Sequence, residues 1–164
     1  MTGELKINGY SAYLHPVDEN RVIGIGQDAT DTGRRLGSQV SLFDVSAPAS
    51  PRRIAPWPAT GTHSDVEWDH RAFLWWAPTR TAVIPMSSEW HDGTRPAGSA
   101  VALRVTDSAI GEPRTLRQGP DGDPRGSAIR RSLVIGDTLY TLSETGLVAR
   151  DLTRLDDGEW LALP

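Results

Sequence analysis

Residues 63–78, HSDVEWDHRAFLWWAP, decide how this chain is interpreted. The first half holds two histidines and three carboxylates within eight residues, and the second half is the most apolar run in the molecule, ended by Pro78. Polar groups that can bind ligands therefore lead directly into an expected buried β-strand. We predict that the stretch is a junction between two repeated β-units, in which Ala72–Trp76 is a strand of the second unit.

The rest of the chain is built from short segments without helical periodicity. Apolar residues alternate or come in short runs, and 16 glycines and 12 prolines separate them. Residues 39–45 alternate cleanly, whereas residues 21–26 carry Gly24 and Gly26 on one face, which predicts the close approach of a neighbouring backbone. Trp75 and Trp76 point to opposite faces of their strand, so one of them is expected in the core.

The same order of strands recurs three times. Residues 39–45, 99–105 and 146–152 correspond as third strands, and Pro51–Ile54 corresponds to Pro113–Leu116 as a fourth strand. Four short strands at a spacing of about 45–60 residues are typical of propeller blades.

We therefore predict one all-β domain over residues 1–164, a partial β-propeller of about three WD-like, four-stranded antiparallel blades. The blades are placed at approximately 10–62, 63–118 and 127–164. A Greek-key sandwich with twelve strands is the alternative fold.

Composition excludes several classes of function. A net charge of -4 gives no reason to expect binding to nucleic acid, and the absence of cysteine removes disulfides, thiolate metal sites and cysteine nucleophiles. The longest apolar run, residues 72–77, is far too short for a transmembrane segment, and the first residues have no signal-peptide core.

Four segments resemble a known family: residues 9–16, 24–29, 41–46 and 68–74. They look like the C-terminal portion of the secreted beta-propeller domain proteins of bacteria, chiefly of the actinobacterial type, with members in some archaea. The resemblance implies a propeller fold and an extracellular or cell-envelope location, and it carries no established activity.

Members of that family are several times longer than this chain. Three blades cannot close a ring, so we expect a fragment of a larger ring, completed by upstream blades or by a second copy. The two flanks are then expected to expose apolar faces and unpaired edges.

The polar half of the junction is the first candidate site. In an extended segment His63, Asp65, Glu67 and Asp69 share one face, and His70 follows. His63, Asp65, Asp69 and His70 are therefore candidate ligands for calcium or zinc, and a metal-binding propeller with hydrolase-like activity is the alternative function. The competing interpretation, favoured for Asp69 and His70, is that these side chains tie blade edges together without a metal.

Two loops provide weaker candidates. Asp28 and Asp31 resemble half of a calcium loop, but the alternating oxygen ligands and the final glutamate are missing, which favours turn capping. Trp90 and His91 lie in a polar loop and are predicted contacts for a ligand or a protein.

Three common catalytic or cofactor-binding motifs are absent from the sequence. The chain has no Gly-x-Ser-x-Gly elbow, no His-Glu-x-x-His zinc motif and no complete dinucleotide-binding glycine pattern. We therefore favour a non-enzymatic propeller module without catalytic residues or a cofactor. It is expected to bind a protein or a small ligand through its loop face, outside the cell or at its surface.

Overall fold

The computed structural model describes residues 3–88, 99–119, 128–156 and 158–164. These residues form three antiparallel sheets that follow one another along the chain, which confirms the predicted all-β class and the partial propeller. Helical structure in the described part is limited to short 3₁₀ turns, and no helix there has the length and apolarity needed to cross a membrane.

The first sheet is a meander in which each strand pairs with the next. Its strands are β1 (Tyr10–Pro16), β2 (Arg21–Ala29), β3 (Arg35–Asp44) and β4 (Arg52–Thr60). The predicted close approach of a neighbouring backbone is confirmed at Gly26 of β2, where a Cβ would collide with the carbonyl oxygen of Tyr10 in β1. At Gly24 the nearest atoms belong instead to side chains, namely the Ser11 hydroxyl and the Phe43 ring.

The second sheet has a divided first strand. Its strands are β5 (Thr62–His63), β6 (Leu74–Trp76), β7 (Thr81–Ser88), β8 (Ser99–Arg104) and β9 (Arg114–Arg117). Both β5 and β6 pair with β7, since Thr62 lies opposite Ser88 and Leu74 lies opposite Val83. The two short strands therefore occupy one edge of the sheet, one after the other.

Residues 64–73, between the two halves of that strand, do not form one continuous extended segment. They form 3₁₀ turns at Asp65–Glu67 and His70–Ala72, so the expectation of an extended segment with ligands on one face is wrong, and the strand predicted at 72–76 covers only Leu74–Trp76. The reason is local, because Ser64 and Asp69 each cap a turn with a side-chain oxygen and thereby offer the backbone an alternative to the strand ladder.

The third sheet repeats the meander of the first. Its strands are β10 (Arg131–Ile135), β11 (Thr138–Leu142), β12 (Gly146–Asp151) and β13 (Glu159–Ala162). The predicted turn at Gly136–Asp137 joins Ile135 directly to Thr138. Gly136 has a φ of 59°, a left-handed conformation that glycine adopts without steric cost.

Two hydrophobic cores lie between successive sheets. Ile25 and Leu42 of the first sheet meet Ile84 and Leu103 of the second in one core. The other core joins the second sheet to the third. Trp75 packs against the first core and Trp76 against the second, so both tryptophans of β6 serve as core residues, in different cores, because neighbouring strand residues face opposite ways.

A buried amide also joins the second and third sheets. The Gln118 side chain, which follows β9, donates to the backbone carbonyls of Thr141 and Gly146 and accepts from the Thr141 hydroxyl at 2.8 Å. Its hydrogen-bonding groups are thus satisfied inside the interface, as a buried polar side chain requires.

Candidate functional site

The candidate site is the segment 64–73 that interrupts the first strand of the second sheet, here called the inner-strand insertion. Its first turn contacts β1, β2 and β7, and its second turn contacts β10. The insertion therefore touches the first strands of the first and third sheets, together with β2 and with β7 of its own sheet. Because the blades of a propeller surround a central channel, a segment that contacts strands of all three sheets is expected to lie on the side of that channel.

Ser64 fixes the start of the insertion. It is completely buried, and its hydroxyl donates to the Pro85 carbonyl at 2.7 Å and accepts from the Val66 N–H at 3.3 Å. The Glu67 carboxylate accepts from the Ser64 N–H at 3.2 Å, which completes a capping box. Val66, between them, is buried in the core of the first two sheets.

Glu67 connects the insertion to the first sheet. Besides the Ser64 N–H, its Oε1 accepts from the Gln27 amide at 2.5 Å and from the Ser38 hydroxyl at 3.5 Å, and its Oε2 accepts from the Tyr10 hydroxyl at 3.2 Å. Partial burial of Tyr10, together with the charge of Glu67, raises the pKa of that phenol. The sequence pattern predicted Glu67 only as a member of the acidic cluster and not in this role, although the Ser-x-x-Glu spacing is a capping-box signal.

Asp65 and Asp69 connect the insertion to the third sheet. Arg130 donates to Asp65 at 3.0 Å, and Arg131 donates to Asp69 at 2.7 Å. Asp69 also accepts from the Arg71 N–H, and this backbone hydrogen bond, with the help of Arg131, lowers the pKa of its carboxyl. Both acids therefore lie in ion pairs across a sheet boundary.

The two predicted histidine ligands lie against different aromatic rings. The His63 ring stacks on Trp68 at a centroid distance of 6.0 Å, whereas the His70 ring stacks on Tyr13 at 6.1 Å. Among the described residues, no group of three or more His, Asp or Glu side chains is arranged to hold a metal ion. The structure therefore does not bring His63, Asp65, Asp69 and His70 together as one group of ligands. Whether the chain binds calcium or zinc is not tested by this geometry, and the metal site stays a prediction.

A cluster of aromatic and histidine rings lies behind the insertion, between the first two sheets. The Tyr13 hydroxyl is 3.0 Å from His15 Nδ1, and the His15 ring lies 4.9 Å from Phe73 and 6.3 Å from Trp75. Burial among these rings lowers the pKa of His15. This cluster was not predicted from the sequence, where its one local signal is that Tyr13 and His15 share a face of β1.

The remaining candidates lie elsewhere. Asp28 accepts from the backbone N–H of Ala29 at 3.0 Å, and Asp31 accepts from the Asn8 amide at 2.7 Å, so each carboxylate has its own local partner. Trp90 and His91 lie outside the described residues.

Three successive antiparallel sheets with hydrophobic cores shared between neighbours define a segment of a β-propeller. The chain belongs to the beta propeller domain family, whose model matches residues 1–155.

Two curated relatives are archaeal proteins. An uncharacterized protein of Methanocaldococcus jannaschii is 30% identical over 158 residues, which cover 96% of this chain and 21% of the relative. An uncharacterized protein of Archaeoglobus fulgidus is 39% identical over 74 residues, which cover 45% of this chain and 11% of the relative. No solved structure matches. These relatives do not support the actinobacterial type named in the resemblance, and the chain spans about a fifth or less of their length.

Proposed function

We propose that this chain is a non-enzymatic propeller module that binds a protein or a small ligand through the exposed corner of the inner-strand insertion. The observation that carries the proposal is Trp68. Its side chain is 66% exposed although it lies between the two capped turns of a segment that is fixed on both sides. A large aromatic ring held rigidly in solvent is the kind of residue that anchors binding interfaces.

The rigidity of the corner follows from its neighbours. Glu67, directly before Trp68, is held by the first sheet, and Asp69, directly after it, is held by Arg131 of the third sheet. The His63 ring lies against the indole and restricts its orientation. A partner that packs on Trp68 would therefore lose little binding free energy to the ordering of the protein.

The hydrogen bonds of the acidic residues favour the hypothesis of a binding module over that of a hydrolase. A general base needs a carboxylate or imidazole lone pair directed at the substrate. Asp65 and Asp69 accept from arginines, and Glu67 accepts from four donors of the same chain. These contacts support a role of the acids in holding the sheets together. A location at the cell surface or outside the cell rests on the resemblance to secreted proteins.

Co-sedimentation with isolated envelopes of the producing cell tests the proposal. We expect the purified chain to sediment with the envelopes and Trp68→Ala to bind roughly tenfold more weakly or worse, the usual effect of removing an aromatic anchor. Leu161→Ala is the matched control, because Leu161 is similarly exposed on β13, the last strand of the third sheet. Protease treatment of the envelopes distinguishes a protein partner from another ligand.

Two results would contradict the proposal. One is a wild-type chain that stays in the supernatant at every envelope concentration. The other is a Trp68→Ala variant that binds as well as the wild type and the Leu161→Ala control. Circular dichroism of each variant shows whether the fold is retained.

A further inference from the structure

A polar pocket lies between the second and third sheets. It has a volume of about 360 Å³, and its lining includes Arg114 and Arg117 of β9 and Arg150 of β12. Pockets that bind small molecules begin at about 300 Å³, so this space is large enough for a ligand. We call it the arginine pocket.

The strand registers direct two of these arginines into the same interface. Arg114 lies on the same face of β9 as Leu116, and Arg150 lies directly opposite Leu139 in the pairing of β11 with β12. Leu116 and Leu139 both belong to the core shared by the second and third sheets. Arg114 and Arg150 therefore continue that interface from its two sides, with positive charge in place of apolar surface.

The protein fixes the orientation of the Arg150 side chain. Arg150 is 6% exposed, and its guanidinium donates to the Thr141 hydroxyl at 2.8 Å and to the Arg117 carbonyl. The Thr141 hydroxyl is held in turn, since it donates to the side-chain oxygen of buried Gln118. A ligand that meets this guanidinium therefore loses little binding free energy to the ordering of the side chain.

The arginine pocket gathers more positive than negative charge. Within the described residues, the exposed side chains of Arg114 and Arg117 make no hydrogen bond or ion pair. Asp156 is the one carboxylate among the described residues of the lining, and the Arg154 guanidinium lies 3.1 Å from it. Guanidinium groups that line one pocket repel each other, and a bound anion offsets that repulsion.

We propose that the arginine pocket binds a phosphate group, either as the free ion or as part of a small phosphorylated molecule. A phosphate group carries roughly -1.5 to -2 charges near pH 7, and its oxygens accept pairs of hydrogen bonds from planar guanidinium groups. A carboxylate carries a single negative charge and would balance less of the positive charge. The proposal is independent of the proposed function, because the pocket shares no residue with the inner-strand insertion.

Isothermal titration calorimetry of the purified chain with inorganic phosphate tests the proposal, with sodium chloride at equal ionic strength as the reference titrant. The expected result is saturable binding of phosphate at one site per chain and no binding of chloride. A chain that binds neither phosphate nor glycerol phosphate overturns the proposal. Succinate, a dicarboxylate, also overturns it if it binds as tightly as phosphate.

Titration with glycerol phosphate identifies the source of the phosphate group. An ester that binds more tightly than inorganic phosphate indicates a phosphorylated small molecule, because the pocket then contacts the organic part as well. An ester that binds more weakly indicates the free ion. Glycerol alone is the control and is expected not to bind.

Two variants of the lining are expected to change the affinity for phosphate in opposite directions. Arg114→Ala removes a charge-assisted hydrogen bond and should weaken binding about tenfold or more. Asp156→Asn removes a negative charge from the lining and should strengthen binding. Arg34→Ala is the matched control, because Arg34 is also exposed, its side chain has no hydrogen bond or ion pair among the described residues, and it lies outside the pocket.

Thermal unfolding separates binding at the pocket from the general effect of phosphate salts, which stabilise folded proteins because they are excluded from the protein surface. Binding predicts that phosphate raises the melting temperature of the wild type and of Arg34→Ala more than that of Arg114→Ala. Equal rises in the three proteins overturn the proposal, as does an Asp156→Asn variant that binds phosphate more weakly than the wild type. Melting curves in chloride show that each variant is folded.

Discussion

Gln27 of β2 is almost completely buried and donates its side-chain amide to Glu67 of the inner-strand insertion at 2.5 Å. This hydrogen bond joins a core strand of the first sheet to the segment that interrupts the second sheet. The two residues are 40 positions apart in the chain. A hydrogen bond between buried Gln27 and half-buried Glu67 therefore links the candidate site to the core.

Removing the carboxylate is expected to destabilise the fold through its buried partner. Glu67→Ala leaves the Gln27 amide without this acceptor, and an unsatisfied buried donor costs about 1–3 kcal/mol. Glu67→Gln is the matched variant and is expected to cost less, because its carboxamide keeps one acceptor oxygen. Urea denaturation measures both free energies of unfolding. If both variants lose the same free energy of unfolding, the buried amide requires the negative charge of Glu67 and not merely an acceptor oxygen.

The close approach of β1 to β2 predicts that a single methyl group at Gly26 is harmful. Gly26→Ala forces the Tyr10 backbone away, and overpacking of this kind typically costs about 1–3 kcal/mol. Gly111→Ala is the control, because the nearest backbone atom there, the Arg104 carbonyl oxygen, would be 3.2 Å from the new Cβ. Thermal melting compares the two variants, and a Gly26→Ala variant as stable as Gly111→Ala would contradict the tight contact.

His15 predicts a dependence of stability on pH. Burial lowers its pKa in the folded state, so below the ordinary value of about 6.5 the unfolded chain binds a proton more readily than the folded one. The free energy of unfolding is therefore expected to be highest above that value and to decline as the pH falls toward the lowered pKa of the folded state.

The variant His15→Asn isolates this contribution, because it removes the titrating ring. Urea denaturation at a series of pH values gives the difference in the free energy of unfolding between wild type and variant. This difference should change with pH between the ordinary histidine pKa and the lowered pKa of folded His15. Asp69 does not interfere with this measurement. Its lowered carboxyl pKa changes the free energy of unfolding only at more acidic pH, below the ordinary aspartate value. A difference that is constant between the two histidine pKa values would show that the ring is protonated equally in both states.

Chelation distinguishes the two functional hypotheses. The binding hypothesis predicts an unchanged melting temperature with and without EDTA, because Arg130 and Arg131 already neutralise Asp65 and Asp69. Elemental analysis of the purified chain should then find no stoichiometric calcium or zinc. One bound ion per chain, with a melting temperature that falls on chelation, would instead support the metal-binding propeller.

Local sequence patterns predicted much of the fold. Alternation and turn residues indicated the all-β class, the three repeats and the hairpin at Gly136–Asp137. The spacing of Gly24 and Gly26 indicated a close neighbour. These properties are local, because strand alternation and turn geometry depend on residues adjacent in the chain. Alternation also predicted an extended segment at residues 63–69, and this prediction was wrong. Two capping side chains, Ser64 and Asp69, stabilise 3₁₀ turns there instead.

The contacts of the candidate site were decided only by the tertiary structure. Glu67 meets Gln27, and Asp65 and Asp69 meet arginines 65 and 62 residues later in the chain. The sequence by itself determined that residues 63–70 are rich in acids and histidines at a junction between repeats. It did not determine their partners, since a pattern with a period of two residues specifies which side chains share a face but not which sheet stacks against that face. Packing of the three sheets brought the arginines to the acids and left Trp68 exposed.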